Sequence, residues 1–485
     1  MARIAETSGD EPSVGGPRTK LVGLGVGLGA AVIILAAPRP ANLTPDAWIV
    51  VALAALMVIW WVTEAVPIAV TALLPLALLP ALGVVTMDQA AAPYADPILY
   101  LFIGGFILGA AVEKWRLHER LALNVVVRAR GRPKAMVAGF MVAAALISMW
   151  ISNTATTLML APIAFGAARA ANPDGEADLA LGGALMLGLA HAATIGGIVM
   201  PVGSPTNLVA IEFFARAGEE VSFAAWALAA APMALVMLPL AWLLVTWPVR
   251  PRDPAQMAQI NRTLQAQLDQ LGPLSGPEAR IAAVFGVVAF LWMFRPLLNL
   301  TPGLSTLSDA GIALIGAISL FLIPSGRAAG ERLIDWPTAE RIPWGIVIMF
   351  GGGLSLAAAM EATDLTHWIG ERIAAMDWVT IAGLIAALAA ATILVSEVAS
   401  NVATLTSMLP IAAAVAAATG VDLKTLGFPM AIAASFAFML PVATPPNAIA
   451  YASGLVTLRR MLIVGACLNI AAFFLIISAT RVLGL

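Results

Sequence analysis

Long apolar runs, separated by short polar or charged segments, dominate the chain from residue 20 onward. An apolar helix needs about 20 residues to cross the hydrocarbon core of a bilayer. The pattern predicts eleven spans, near 20–37, 46–63, 67–84, 97–112, 179–202, 222–247, 279–297, 308–324, 342–359, 424–443 and 461–483. Two other apolar stretches, 135–170 and 376–418, are long enough for two passes each, but a polar cluster interrupts them where a charged loop would be expected. Both are expected to enter and leave from one side, as re-entrant hairpins. Residues 1–19 are polar and rich in Pro, Gly and Ser, which predicts a flexible cytoplasmic tail. No signal peptide is expected, because the first apolar stretch starts late and no cleavage site is evident.

Composition decides the solvent. Of 485 residues, 61% are hydrophobic and 11% charged, against about 25% charged in soluble domains. Such a chain cannot coat itself for water, which excludes a cytosolic enzyme. Lys and Arg number 26 against 28 Asp and Glu, so no basic excess invites nucleic acid. A lone Cys467 gives neither a disulfide framework nor a thiolate metal cluster, and three histidines are too few for a His-based metal site. Basic residues crowd the connector 114–134 (Lys114, Arg116, Arg120, Arg128, Arg130, Arg132, Lys134), which therefore lies in the cytoplasm. The loops carrying Arg250, Arg327 and Arg459 fall on the same side, and those with Asp88, Asp96, Glu219 and Glu220 on the other. With both hairpins closing on their own side, the N-terminus is expected inside and the C-terminus outside.

The two interrupted stretches repeat one another. Ser152-Asn153 and Ser400-Asn401 lie 248 positions apart, and the same offset superposes Phe102 on Phe350, Gly104-Gly105 on Gly352-Gly353, Ser148 on Ser396 and Pro162-Ile163 on Pro410-Ile411. Further on, Ser204-Pro205-Thr206-Asn207 matches Thr444-Pro445-Pro446-Asn447 at an offset of 240. The connector after the first unit is basic, whereas its counterpart 361–375 carries Glu361, Asp364 and Glu371 on the other side. The halves are thus expected to be inverted copies, an arrangement that favours alternating access.

At mid-bilayer, irregular backbone is tolerated only where it is buried or lines a cavity. The first arm of a hairpin ends in free carbonyls and the second begins with free amides, so one tip offers oxygens to a cation and N–H groups to an anion. Ser148, four residues before Ser152, is expected on the same face of the first arm, adding a hard oxygen for an alkali cation; Ser396 repeats this before Ser400. Gly203-Ser204-Pro205 and Ala443-Thr444-Pro445 should unwind the spans that contain them, since proline removes a backbone donor and clashes with the preceding turn. No Arg or Lys sits at either tip. Ser and Thr in membrane helices commonly bond their own backbone, but two Ser-Asn tips, each matched to a proline break, favour a site. Gly104-Gly105 and Gly351-Gly352-Gly353 read as close-packing positions, and Trp60-Trp61 as an interfacial anchor. His191 reads as an interior hydrogen-bonding residue, with proton carriage the lesser alternative. Glu397, beside Ser396, could pair with a cation, orient the hairpin or carry a proton.

Together, the paired Ser-Asn motifs, the two S/T-P-x-N breaks, the Trp-Trp-x-Thr-Glu-Ala-x-Pro string from Trp60 and the Phe-x-Gly-Gly string from Phe102 resemble the divalent anion/sodium symporter family. The resemblance covers everything after the tail. It implies an all-α polytopic homodimer in the inner (plasma) membrane, with scaffold helices at 20–96, a scaffold helix and connector at 97–134, and scaffold helices again at 217–341, 342–375 and 458–485. The transport domain would comprise 135–216 and 376–457 and slide as an elevator. The resemblance further implies one sodium site at Ser148, Ser152, Asn153 and Gly203, and another at Ser396, Ala399, Asn401 and Ala443. Substrate carboxylates would meet Ser152, Asn153, Thr154, Ser400, Asn401, Thr444 and Pro445. Val402 departs from the Thr common at that position and leaves the preferred anion open.

The expected function is sodium-coupled import of small dianions such as succinate, malate or fumarate. A sodium-independent exchanger, a proton-coupled carrier and a citrate- or sulfate-preferring carrier stay open. An intramembrane hydrolase using a serine and His191 would need a base near its nucleophile, and a passive channel is disfavoured by two closed hairpins.

Overall fold

The computed structural model describes residues 17–128, 132–170, 178–251, 253–374 and 380–482. The expected tail up to residue 16, Arg130 of the basic connector, the end of the outer connector at 375, the start of the second interrupted stretch at 376–379 and the last residues 483–485 lie outside the described residues. The described chain is helical, with one isolated bridge, Pro324 to Arg332, outside the helices. Among the described residues, seven helices are long and apolar enough to cross a membrane: Pro45–Thr63, Met87–Lys114, Leu179–Gly197, Phe223–Thr246, Gly276–Leu298, Trp344–Ala362 and Leu458–Ala479. Each falls on an expected span.

The other four expected spans are built differently, and each has a local cause. The first helix, Pro17–Ala36, begins inside the expected tail, on a proline, a residue favoured in the first helical turn. The stretch 67–84 is two short helices, Ile68–Ala72 and Leu74–Ala81. Pro75 has no N–H for the Thr71 carbonyl, and the neighbouring Ala72 carbonyl accepts the Tyr94 hydroxyl. Asp309–Leu322 has 14 residues and Leu423–Ser435 has 13, so each is about 20 Å long at 1.5 Å per residue and falls short of a full crossing. The Trp60-Trp61 pair is not a simple interfacial anchor: Trp61 is fully buried and donates its indole N–H to the Ile68 carbonyl at 3.1 Å.

Several helix ends follow the sequence register. Shifted by 248 positions, Pro133–Ser148 falls on Ile381–Ser396, and the start of Asn153–Ala170 falls on that of Asn401–Thr419. Shifted by 240, Pro205 falls on Pro445, where both second half-helices begin. Gly104 and its counterpart Gly352 permit close crossings: a Cβ on Gly104 would lie 2.7 Å from the Ala313 carbonyl carbon, and one on Gly352 would strike the Ala72 carbonyl oxygen.

Loops fall into two sets that bond within themselves. Lys114 pairs with Asp335 at 2.7 Å, Arg120 with Glu278 at 2.8 Å, Trp242 donates to the Lys134 carbonyl, and Arg460 reaches the carbonyls of Ala180 and Val245. In the other set, Arg216 pairs with Asp96 at 2.9 Å, Arg295 with Asp309 at 2.7 Å, and Glu219 accepts the amides of Leu423 and Lys424. The first set carries Lys114, Arg120 and Lys134 of the basic connector, and the second carries Asp96 and Glu219. Both ends of the first hairpin belong to the basic set, through Lys134 and through Ala168, whose carbonyl accepts the Asp178 amide.

Gly104→Ala should lower the thermal midpoint of the detergent-purified protein by overpacking, a cost of about 1–3 kcal/mol. Gly29→Ala, where the added methyl meets nothing within 4 Å, should not. Equal midpoints for the two variants would refute the close crossing.

Candidate ion and substrate site

The first hairpin turns at residues 149–152. Its first arm ends at Ser148, earlier than a stacked Ser148/Ser152 pair requires, so the two serines do not share one helix face. Ser148 is instead fully buried and donates its hydroxyl to Asn153 Oδ1 at 2.5 Å. Ser152 accepts the Ala155 amide at 3.2 Å, capping the second arm. Ser152, Asn153 and Thr154 are half-buried, whereas Ser148 beneath them is closed off.

The first break lies directly behind this turn. Leu179–Gly197 ends, a tight turn runs through Pro201–Gly203, and Pro205–Arg216 restarts. Gly203 shows what converges here: a Cβ built on it would lie 2.6 Å from the Gly197 carbonyl oxygen, 2.8 Å from that of Ser148 and 2.9 Å from that of Met149. A Cβ on Gly197 would strike Asn153 Oδ1. Three main-chain oxygens thus face one small space that only glycine leaves open, with an amide oxygen next to it. Hard, neutral oxygens in that arrangement suit an alkali cation, so the residues fit sodium. The convergence of the Met149 and Gly197 carbonyls escapes sequence reasoning, because they are backbone groups and no side-chain chemistry announces them.

Asn207 holds the break together. Its Nδ2 donates to the Gly197 and Met200 carbonyls, both at 2.8 Å; in the second half Asn447 Nδ2 donates to Ala437 and Leu440, both at 3.1 Å. Donor and acceptors all shift by 240 positions, so the repeat extends to individual hydrogen bonds. Both asparagine Oδ1 atoms are buried without a partner among the described residues. The x-N of the S/T-P-x-N motif therefore clamps the unwound carbonyls, a role that the motif spacing alone does not reveal.

The second hairpin repeats the plan with its oxygens uncommitted. Ser396 Oγ and Asn401 Oδ1 are both buried, and neither has a hydrogen-bond partner among the described residues. These are the positions equivalent to the bonded pair Ser148 and Asn153, and they fit a second cation. Ala399 and Ala443 are buried, Ser400, Asn401 and Val402 half-buried, and Pro445 opens the next helix. Thr444 is buried and caps that helix by accepting the Asn447 amide at 3.3 Å.

The second break is wider than Ala443-Thr444-Pro445, because Leu423–Ser435 stops eight residues before Ala443. The cause is Glu397. Its carboxylate accepts the amides of Phe438 (2.8 Å), Met439 (3.0 Å) and Leu440 (3.0 Å), together with Asn469 Nδ2 at 2.6 Å. Those amides would otherwise continue the helix; charge-assisted bonds to a carboxylate are the stronger option. Of the three roles open for Glu397, orientation of the hairpin is the one its bonds describe. His191 is fully buried and packs its ring edge-on against Phe438 at 5.1 Å. Among the described residues no serine hydroxyl donates to it, so the hydrolase alternative lacks its nucleophile and base pair.

Comparison with known proteins identifies the family. Residues 18–484 match the family described as Sodium:sulfate symporter transmembrane region. The chain is 35% identical over 467 residues to the sodium-dependent dicarboxylate transporter SdcS of Staphylococcus saprophyticus, covering 94% of this chain and 90% of that protein. It is 34% identical over the same length to SdcS of Staphylococcus aureus, with the same coverage. Two solved transporters share the fold at low identity. MtrF of Neisseria gonorrhoeae, described among antimetabolite efflux pumps, has a TM-score of 0.60 at 13% identity, over 97% of this chain and 95% of that one. YdaH of Alcanivorax borkumensis has a TM-score of 0.54 at 15% identity, over 96% of each chain. A membrane transporter and not an enzyme, the chain belongs to the sodium:sulfate symporter family.

Proposed function

We propose that the protein couples sodium entry to import of C4-dicarboxylates such as succinate, malate or fumarate. The oxygens converging over Gly203, beneath a half-exposed Ser-Asn tip, carry this reading; the dicarboxylate transport named for its SdcS relatives supports it. One sodium is held at Ser148, Ser152, Asn153 and Gly203, with the carbonyls of Met149 and Gly197. A second is held at Ser396, Ala399, Asn401 and Ala443. The dianion lies against Ser152, Asn153 and Thr154 from one side and Ser400, Asn401, Val402, Thr444 and Pro445 from the other. Amides at the starts of Asn153–Ala170 and Asn401–Thr419 point partial positive charge at its carboxylates.

The transport unit combines the re-entrant hairpins with the two broken helices and slides as an elevator within a homodimer in the inner membrane. In this reading the halves are inverted, the N-terminus is cytoplasmic and the C-terminus outside. Packing supports one change to the domain boundaries: Leu458–Val482 packs on Ile381–Ser396, on Leu423–Ser435 and on Phe223–Thr246, and Phe223–Thr246 packs on Leu179–Gly197. Both long helices therefore travel with the hairpins in this reading, leaving the scaffold to helices before residue 129 and between 276 and 362. Only the fully loaded or the empty unit crosses readily, since a partly loaded one carries uncompensated charge through an apolar barrier.

In proteoliposomes, an inward sodium gradient should drive labelled succinate uptake. Asn153→Ala and Asn401→Ala should each abolish it while the protein still elutes as folded material; near-normal uptake by both would sink the site assignment. Uptake indifferent to sodium but responsive to internal dicarboxylate would make the protein an exchanger. Val402→Thr should shift preference between succinate and citrate, and an unchanged competition profile would remove Val402 as selector. Glu397→Gln puts an N–H donor or a neutral acceptor against three amides. It should lower the thermal midpoint by the equivalent of about 1.5–3 kcal/mol and reduce uptake more than tenfold. Retained uptake that has merely lost its pH dependence would restore the proton-carrying role.

A further inference from the structure

We propose that Ser435 is a positioning residue that ties the two breaks together through Thr206, so that ordering one cation pocket orders the other. Ser204 Oγ lies 2.8 Å from Thr206 Oγ1, and Thr206 Oγ1 lies 2.7 Å from Ser435 Oγ. Ser435 in turn donates to the Ala431 carbonyl at 3.2 Å. A hydroxyl has a single proton. With the Ser435 proton on Ala431, the Thr206 proton lies on Ser435 and that of Ser204 on Thr206, so the chain runs in one direction. The three residues are 6%, 0% and 1% exposed. Water does not replace a missing link at that depth, and an unpaired hydroxyl there is costly.

What the chain connects is specific. Ser204 follows Gly203, the floor of the first oxygen pocket, and Thr206 lies in the first turn of Pro205–Arg216. Ser435 is the last residue of Leu423–Ser435, three positions before the amides that Glu397 grips. A displacement of the first break therefore pulls on the segment behind Ser396 and Asn401.

The link is also one-sided. Under the 240-position shift, Ser204, Thr206 and Ser435 correspond to Thr444, Pro446 and Ile195. Proline and isoleucine have no hydroxyl, so the reciprocal chain cannot form. In a fold whose clamps repeat bond for bond, this connection breaks the symmetry. It sits between the halves, where communication between two ion sites is needed.

The inference rests on the proposed transport reading only for its functional arm. Hydrogen exchange by mass spectrometry on the full chain, with and without sodium, tests the tether itself. Ser435→Ala should speed amide exchange at 198–206, in the other half, by about threefold to tenfold, the range one buried hydrogen bond supports. Thr206→Val should do the same, the double variant should be no worse than either single one, and Ser435→Thr should return toward the original rate. In proteoliposomes the sodium concentration for half-maximal succinate uptake should rise by a similar factor, with a lower Hill coefficient and little change in maximal rate. Exchange altered only at 431–440, or strictly additive effects in the double variant, would overturn the tether and leave three hydroxyls that merely satisfy one another. If the unmodified protein shows no sodium-driven uptake, the functional reading fails while the exchange comparison still decides the tether.

Discussion

Backbone polar groups in an apolar layer must find partners, and this chain interrupts four helices where water is scarce. The ends lie at Ser148 and Asn153, Gly197 and Pro205, Ser396 and Asn401, and Ser435 and Pro445. Most of the freed groups are met by side chains: Ser152 and Thr444 cap helix starts, Asn207 and Asn447 take carbonyls, and Glu397 takes amides. What those caps do not take are the Ser148 and Met149 carbonyl oxygens facing Gly203, together with Ser396 Oγ and Asn401 Oδ1. Structure and site are thus two shares of one account: the capped ends hold the fold, and the uncapped ones are available to bind.

The halves solve the same problem with different chemistry. In the first, the break is short and Met149 stands where the second half has Glu397 under the 248-position shift. In the second, the Glu397 side chain, next to Ser396, replaces helical acceptors. Its oxygens accept from three amides and from Asn469 Nδ2. The first pocket has converging carbonyl oxygens and the neutral Asn153 amide oxygen beside them. The two candidate pockets related by sequence therefore differ in the groups around them, and a one-sided hydroxyl chain lies between them.

Much of this was legible along the chain. Apolar runs located seven long helices because burial and lipid exposure both demand apolar residues over the same length. The Ser-Asn tips stood out because polar side chains are conspicuous in such runs, and the 248-position register matched Pro133–Ser148 to Ile381–Ser396 residue for residue. The rest depended on long-range contacts. The early end of Leu423–Ser435 is imposed by Glu397 from 41 positions before Phe438. Trp61 reads identically as a membrane anchor or as a buried indole until Ile68 supplies its acceptor. Carbonyl oxygens such as that of Met149 have no signature, since every residue has one.

The absence of Arg and Lys from both tips bears directly on coupling. In the proposed mechanism, a dianion approaching Ser152-Asn153 and Ser400-Asn401 would meet helix-start amides that attract it, but also the oxygen clusters behind them, whose dipoles point negative charge the same way. Across a few ångströms of poorly solvated protein those opposing terms are strong. A cation seated among the oxygens reverses the sign of the repelling term and adds its own attraction, whereas a fixed arginine would attract the anion regardless of sodium. In the proposed mechanism, then, obligatory coupling needs no additional gate: it follows from building the anion site out of carbonyls and amides and leaving the positive charge to the co-transported ions.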